Sequence, residues 1–125
     1  MRFGFDVHGV IDTKPKLYSK LTKRLISLGH EVHIITGGMD SKGLRSKLKS
    51  SGIEWTHLFS IPDYHSSIGN DVEYTASGNT WMDAVEWDKT KGEYCDRHNI
   101  DLHIDDTERY SKYFKDTVYL LVGNK

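Results

Sequence analysis

The chain has 125 residues, 17 basic and 18 acidic, for a formal net charge of -1, and it carries one cysteine, Cys95. That balance argues against long nucleic acid as a partner, and a lone cysteine excludes a disulfide framework or a thiolate metal cluster. No apolar run approaches the roughly 18 residues that cross a bilayer. The length suits one domain, and Asp6 and His8 interrupt the N-terminal apolar stretch too early for a secretory signal, so a soluble, cytoplasmic domain is expected.

Residues 2–7 open as an alternating apolar run, with Phe3, Phe5 and Val7 on one side of an extended chain and Asp6 at its C-terminal end. Gly9 allows a sharp turn directly afterwards. Asp12 or Thr13 is placed to cap a helix with Pro15 in its first turn. The buried stripe of that helix is predicted at Leu17, Leu21, Leu25 and Leu28, and Gly29 stops it. A second strand over 31–35 runs into Thr36–Gly37–Gly38, so the two strands should be parallel. Asp40 or Ser41 caps a basic second helix with Leu44 and Leu48 four apart, and a third strand is predicted over 55–61, cut off by Pro62.

From 62 to about 80 the sequence loses periodicity and fills with Ser, Gly, Asn and Asp, which suggests a flap, a small hairpin or a minimal cap. A short helix over 81–87 and another over 90–98 follow, then a strand over 100–104 ending in Asp105–Asp106 and a last strand over 117–122. Trp81 and Trp87 are expected to pack against the core, and Cys95 to face the sheet. His30, His33, His57, His65, His98 and His103 show no ligand spacing and read as ordinary polar residues. The fold class is α/β: a three-layer α/β/α sandwich around a Rossmann-like, mainly parallel five-stranded sheet.

Asp6, Thr36 and Asp105–Asp106 fall at the carboxyl ends of predicted parallel strands, where open α/β sheets gather their ligand chemistry. A lysine from a nearby helix, Lys91 or Lys89, is placed to join them. A carboxylate nucleophile, a hydroxyl, a lysine and paired acids are the equipment of phosphoryl transfer, since two acids at a buried strand end repel each other without a cation. In this order, Asp6–Val7–His8–Gly9–Val10, Ile34–Ile35–Thr36–Gly37, Lys91 and Ile104–Asp105–Asp106, the chain resembles the haloacid dehalogenase superfamily of phosphohydrolases, as a small member with a minimal cap or none. A receiver domain of a response regulator uses similar groups, but there the acid pair comes first and the lysine last.

The resemblance implies that Asp6 forms an aspartyl-phosphate, that Thr36, Gly37 and Lys91 hold the phosphate, and that Lys91 also neutralises Asp6. It further implies that magnesium is bound by Asp6, the His8 carbonyl, Asp105 and, in support, Asp106. The expected partner is a phosphomonoester such as a nucleotide. One position departs from the family: His8 stands where a second aspartate normally protonates the leaving group and activates water. Histidine is suited to both tasks near neutral pH. Three outcomes stay open: a hydrolase with an altered pH profile, a slow hydrolase whose phosphoenzyme persists, and a phosphate- and metal-binding module without turnover. A structural or interaction domain with a vestigial cleft is the weaker further alternative.

Overall fold

The computed structural model describes residues 1–74 and 80–123. Its elements in chain order are β1 (Arg2–Phe5), α1 (Pro15–Ser27), β2 (Glu31–Thr36), α2 (Lys42–Ser50), β3 (His57–Ser60), α3 (Ile61–Ser67), β4 (Glu73–Tyr74), β5 (Thr80–Trp81), α4 (Ala84–Arg97), β6 (Leu102–Asp105) and β7 (Val118–Leu121), with 3-10 turns at Ile11–Thr13 and Glu108–Tyr113. The main sheet has five strands, all parallel rather than mainly so, in the order β3-β2-β1-β6-β7, compatible with a Rossmann-like fold. The chain runs outward from β1 through β2 to β3, then returns to place β6 on the other side of β1. The order therefore reverses between β1 and β6, which opens a crevice beyond their carboxyl ends.

Alternation along the strands divides the core. Phe5, Val32, Ile34 and Ile104 pack with Tyr18 of α1 and Leu48 of α2, whereas Ile35, next to Ile34 and so on the opposite face, joins Tyr94 and Cys95 of α4. The α1 stripe is rotated from its expected position. Tyr18 and Thr22 are buried and Leu21 and Leu25 partly so, while Leu17 and Leu28 are 53% and 56% exposed. Tyr18 wins because its ring meets Phe5 edge-on, at 5.9 Å between centroids, and so supplies more apolar area than a leucine would.

Other boundaries shift for local reasons. Pro62 ends β3 by starting a helix rather than a loop: it occupies the first turn of α3, where its missing N–H costs nothing, and Ser60 Oγ caps that turn through the Asp63 N–H. Ser41 is the cap of α2, its Oγ accepting from the Leu44 N–H at 3.1 Å. The two helices predicted over 81–98 are one, α4, capped by Asp83, whose carboxylate accepts from the Glu86 N–H at 3.0 Å. The segment around 62–80 contains α3 and the paired strands β4 and β5; residues 75–79 lie outside the described residues. Trp81 is 66% exposed and does not pack on the core. No helix among the described residues is long and apolar enough to cross a membrane.

Candidate active site

Backbone pairing carries three acids to the sheet's carboxyl edge. The Asp6 N–H donates to the Ile104 carbonyl at 3.0 Å, which prolongs the β1–β6 ladder by one residue, and the Val122 N–H donates to the Asp105 carbonyl at 2.9 Å. Asp6 and Asp105 thus stand at the ends of adjacent strands, on either side of the point where strand order reverses, and Asp106 follows. Gly9 turns the chain beyond β1 with φ +81°. A Cβ there would lie 2.0 Å from Asp106 Oδ2, so the loop's approach to the acid pair requires glycine on two counts.

Lys91 reaches the acids from α4. Its Nζ lies 3.0 Å from Asp6 Oδ1 and 2.8 Å from Asp105 Oδ2, and its side chain is almost wholly buried. The helix comes close enough because its next residue is Gly92: a Cβ there would sit 2.3 Å from the Tyr113 carbonyl oxygen. Lys89, by contrast, pairs with Glu86 on the surface, so of the two lysines it is Lys91 that meets the acids.

Asp105 is fully buried, and both of its carboxylate oxygens are hydrogen-bonded. One oxygen accepts from Lys91 and from His103 Nε2 at 2.9 Å, and the other from the Asp106 and Thr107 N–H groups. Burial works to raise its pKa, but the His103 and Lys91 interactions outweigh it and hold the carboxyl well below its ordinary range. Burial pushes Asp6 the other way, up to about 7, with Lys91 pulling it down and the charges of Asp105 and Asp106 adding to the rise. For Lys91, burial opposes the charge, but the two aspartates prevail and raise its pKa.

A cavity of about 280 Å³ opens over these groups, lined by Asp6, His8, Gly9, Gly37, Lys91, Asp106, Thr107 and Tyr110. The structure therefore brings together Asp6, His8, Gly37, Lys91 and Asp106 at one surface. Thr36 and Asp105 are fully buried and do not line it. Thr36 Oγ1 accepts from the Gly38 N–H at 3.0 Å and so ties the Gly37–Gly38 loop to the end of β2. Gly37 leaves room for Trp87, whose ring would be 2.9 Å from a Cβ at that position; Trp87 Nε1 in turn donates to the Tyr110 hydroxyl at 3.1 Å.

Sequence patterning does not mark several of these residues. Thr107 and Tyr110 lie in a segment without apolar periodicity, so nothing local distinguishes them. His103 is different: it precedes Asp105 by two, and strand alternation places both on one face. It is fully buried, stacked on Phe114 at 5.3 Å and seated opposite Gly4, where a Cβ would meet its Nδ1 at 2.6 Å. That Nδ1 has no hydrogen-bond partner among the described residues. Burial lowers the pKa of His103, so its Nε2–H donates to Asp105 from a neutral ring. His33 and His65 are likewise buried. Cys95 faces the core as expected, and burial pushes its thiol up to about 12, leaving no reactive thiolate.

Carboxylate oxygens of Asp6, Asp105 and Asp106 lie within 4.8 Å of one another, an all-oxygen donor set of the kind that hard divalent cations take. In comparison with known proteins, no protein-family model, no curated protein and no solved structure matches the chain.

Proposed function

We propose that the chain is a magnesium-dependent phosphomonoester hydrolase of the haloacid dehalogenase type, acting in the cytoplasm through an aspartyl-phosphate on Asp6, with the sheet and its helices forming a three-layer sandwich. The observation that carries the reading is the buried lysine shared between Asp6 and Asp105 beneath a cavity edged by glycine loops. A structural ion pair needs one acid and no cavity. Here a cation holds two acids, with a third beside them, at the place where a parallel sheet gathers its ligands.

In this reading an Asp6 carboxylate oxygen attacks phosphorus as the bond to the leaving oxygen breaks, and His8 gives that oxygen its proton. Lys91 offsets the charge gathering on the transferred group, and the turns at Gly9 and Gly37 leave backbone close to its oxygens. A water then attacks the same phosphorus, yields a proton to His8 and frees Asp6. The Asp6–Asp105–Asp106 set fits magnesium by its donor chemistry, and the ion when bound supplies charge neutralisation at the phosphoryl oxygens. Burial raises the pKa of Asp6 against the pull of Lys91, with Asp105 and Asp106 adding to the rise, and a cation bound beside Asp6 would favour its carboxylate form.

The test is phosphate release from an aryl phosphate and a panel of nucleotides, with and without magnesium, beside Asp6→Asn. Magnesium-dependent release that falls on the order of 10⁴-fold or more in the variant is expected; release unchanged by Asp6→Asn would remove Asp6 from the chemistry. A second reading, a phosphate- and metal-binding module without turnover, rests on one observation: the cavity presents an imidazole where the family places an acid. Calorimetric binding of magnesium and phosphate without turnover would favour it, and a pH–rate profile unmoved by His8→Asp would take His8 out of proton transfer.

A further inference from the structure

We infer that Asp12 is a positioning residue that sets the tautomer and direction of the His8 ring; the inference rests on the phosphohydrolase reading above. The sequence suggests Asp12 as a helix cap, yet α1 starts at Pro15 after Lys14 with no side-chain cap. The Asp12 carboxylate turns back toward the cavity loop instead. Its Oδ1 accepts from the Gly9 N–H at 2.8 Å, and its Oδ2 lies 3.3 Å from His8 Nδ1. Asp12 is itself tied to the base of that loop, its N–H donating to the Val7 carbonyl at 3.1 Å.

The His8 side chain is 68% exposed, so little packing fixes its ring. An imidazole at a cavity mouth then samples two tautomers and several rotamers, and only some turn toward the phosphate a nitrogen free to take up and return a proton. A carboxylate accepts and never donates, so beside Asp12 the proton belongs on Nδ1 and the other nitrogen faces away. That other nitrogen is Nε2, which lies beside the Gly37–Gly38 loop: a Cβ placed on Gly38 would be 3.9 Å from it. The working acid–base of the site is thus a two-residue device. The cycle starts from the imidazolium, protonated on both nitrogens: His8 Nε2 gives its proton to the leaving oxygen as the P–O bond breaks, which leaves the neutral Nδ1–H ring. Later it takes one from the water whose oxygen displaces Asp6, and Asp12 holds Nδ1–H throughout.

Asp12→Asn isolates the effect. Asparagine keeps a carbonyl oxygen for the Gly9 N–H, but it offers an NH₂ to His8 Nδ1, which selects the opposite tautomer. The expected result is a kcat about 10- to 100-fold lower with KM little changed; in a more buried His–carboxylate pair the same substitution costs about 10⁴-fold. The loss should grow with more basic leaving groups, and it should vanish when Asp12→Asn is placed in a His8→Ala background. Nitrogen shifts of the His8 ring should report Nδ1–H in the wild type and Nε2–H in Asp12→Asn, whether or not the protein turns over. An equal loss in the His8→Ala background, or the same ring tautomer in both proteins, would overturn the role of Asp12. A wild type without magnesium-dependent release, but with the expected ring shifts, would sink the hydrolase reading and leave the orienting contact standing.

Discussion

The two edges of the main sheet both bury ionisable groups, yet they resolve them differently. At the amino edge, His33 is 1% exposed and has a partner for each ring nitrogen: Nδ1 meets the Tyr94 hydroxyl at 2.7 Å and Nε2 meets Glu31 at 2.8 Å. His57 stacks on it at 4.1 Å and 6°, and His98 stacks on Tyr94 at 4.1 Å. Ligand atoms of Glu31, His33 and His57 fall within 4.8 Å of one another, a cluster that sequence spacing does not reveal. Because each imidazole lone pair lies in its own ring plane, two parallel stacked rings do not aim at a shared point. At the carboxyl edge, three acids and one lysine meet beneath a cavity that Asp6, Asp106 and Lys91 line, with Asp6 pushed up to about 7. One edge closes its polar groups on each other; the other carries them to an open cavity.

Removing the lysine should break this contrast most severely. Lys91→Met leaves Asp6 and Asp105 facing one another without their cation. A loss of about 3 kcal/mol in urea unfolding is expected, together with a fall in phosphate release of about 100-fold or more. Unchanged stability would mean that the pair is not buried as described.

A smaller effect should appear in the pH dependence of the metal-free protein. The Asp6 pKa is raised from 3.8 to about 7, so between those values the folded chain keeps a proton that the unfolded chain has released. Its contribution to stability therefore falls as pH rises through that window. Asp105, with its pKa lowered, acts in the opposite sense: its contribution is present above its ordinary range and is lost as pH falls below it. Melting curves of wild type and Asp6→Asn should converge or cross as pH rises from about 4 to 7, with magnesium restoring the wild type at the upper end. A constant difference across that range would show that Asp6 titrates normally.

The amino edge supplies the smallest effect and the sharpest control. His33→Leu removes a hydrogen-bonded ring from the closed cluster and should cost about 1–3 kcal/mol of stability, with turnover per folded molecule unchanged. A change in turnover at constant folded fraction would tie the two edges together.

Much of this architecture is legible in the amino-acid sequence. Leucine and β-branched runs, the Gly29 stop and the acids ending two apolar runs are enough to place α1, β2 and β6 within a few residues, because local propensity and core burial agree there. Asp6, Gly37, Lys91 and Asp106 stand out by residue type and order, and they do line one cavity. The rotation of α1 is not legible, since Leu17 and Tyr18 are equally good stripe members until Phe5 stands opposite one of them. Nor is the single α4, where Asp83 caps a helix that composition alone divides.

Residue order alone is enough for the kind of fold and for the chemical identity of the site: parallel strands whose ends carry an acid, a threonine and an acid pair, with a lysine from a helix. Packing selects which lysine, because Gly92 lets α4 approach Tyr113 and only Lys91 then points inward. Packing also puts His103 beneath Asp105, closes one side of the cavity with Tyr110 and Thr107, and turns Asp12 toward a histidine rather than a helix. Spacing along a chain fixes which residues share a face; it is the packing of one face on another that sets which of them touch.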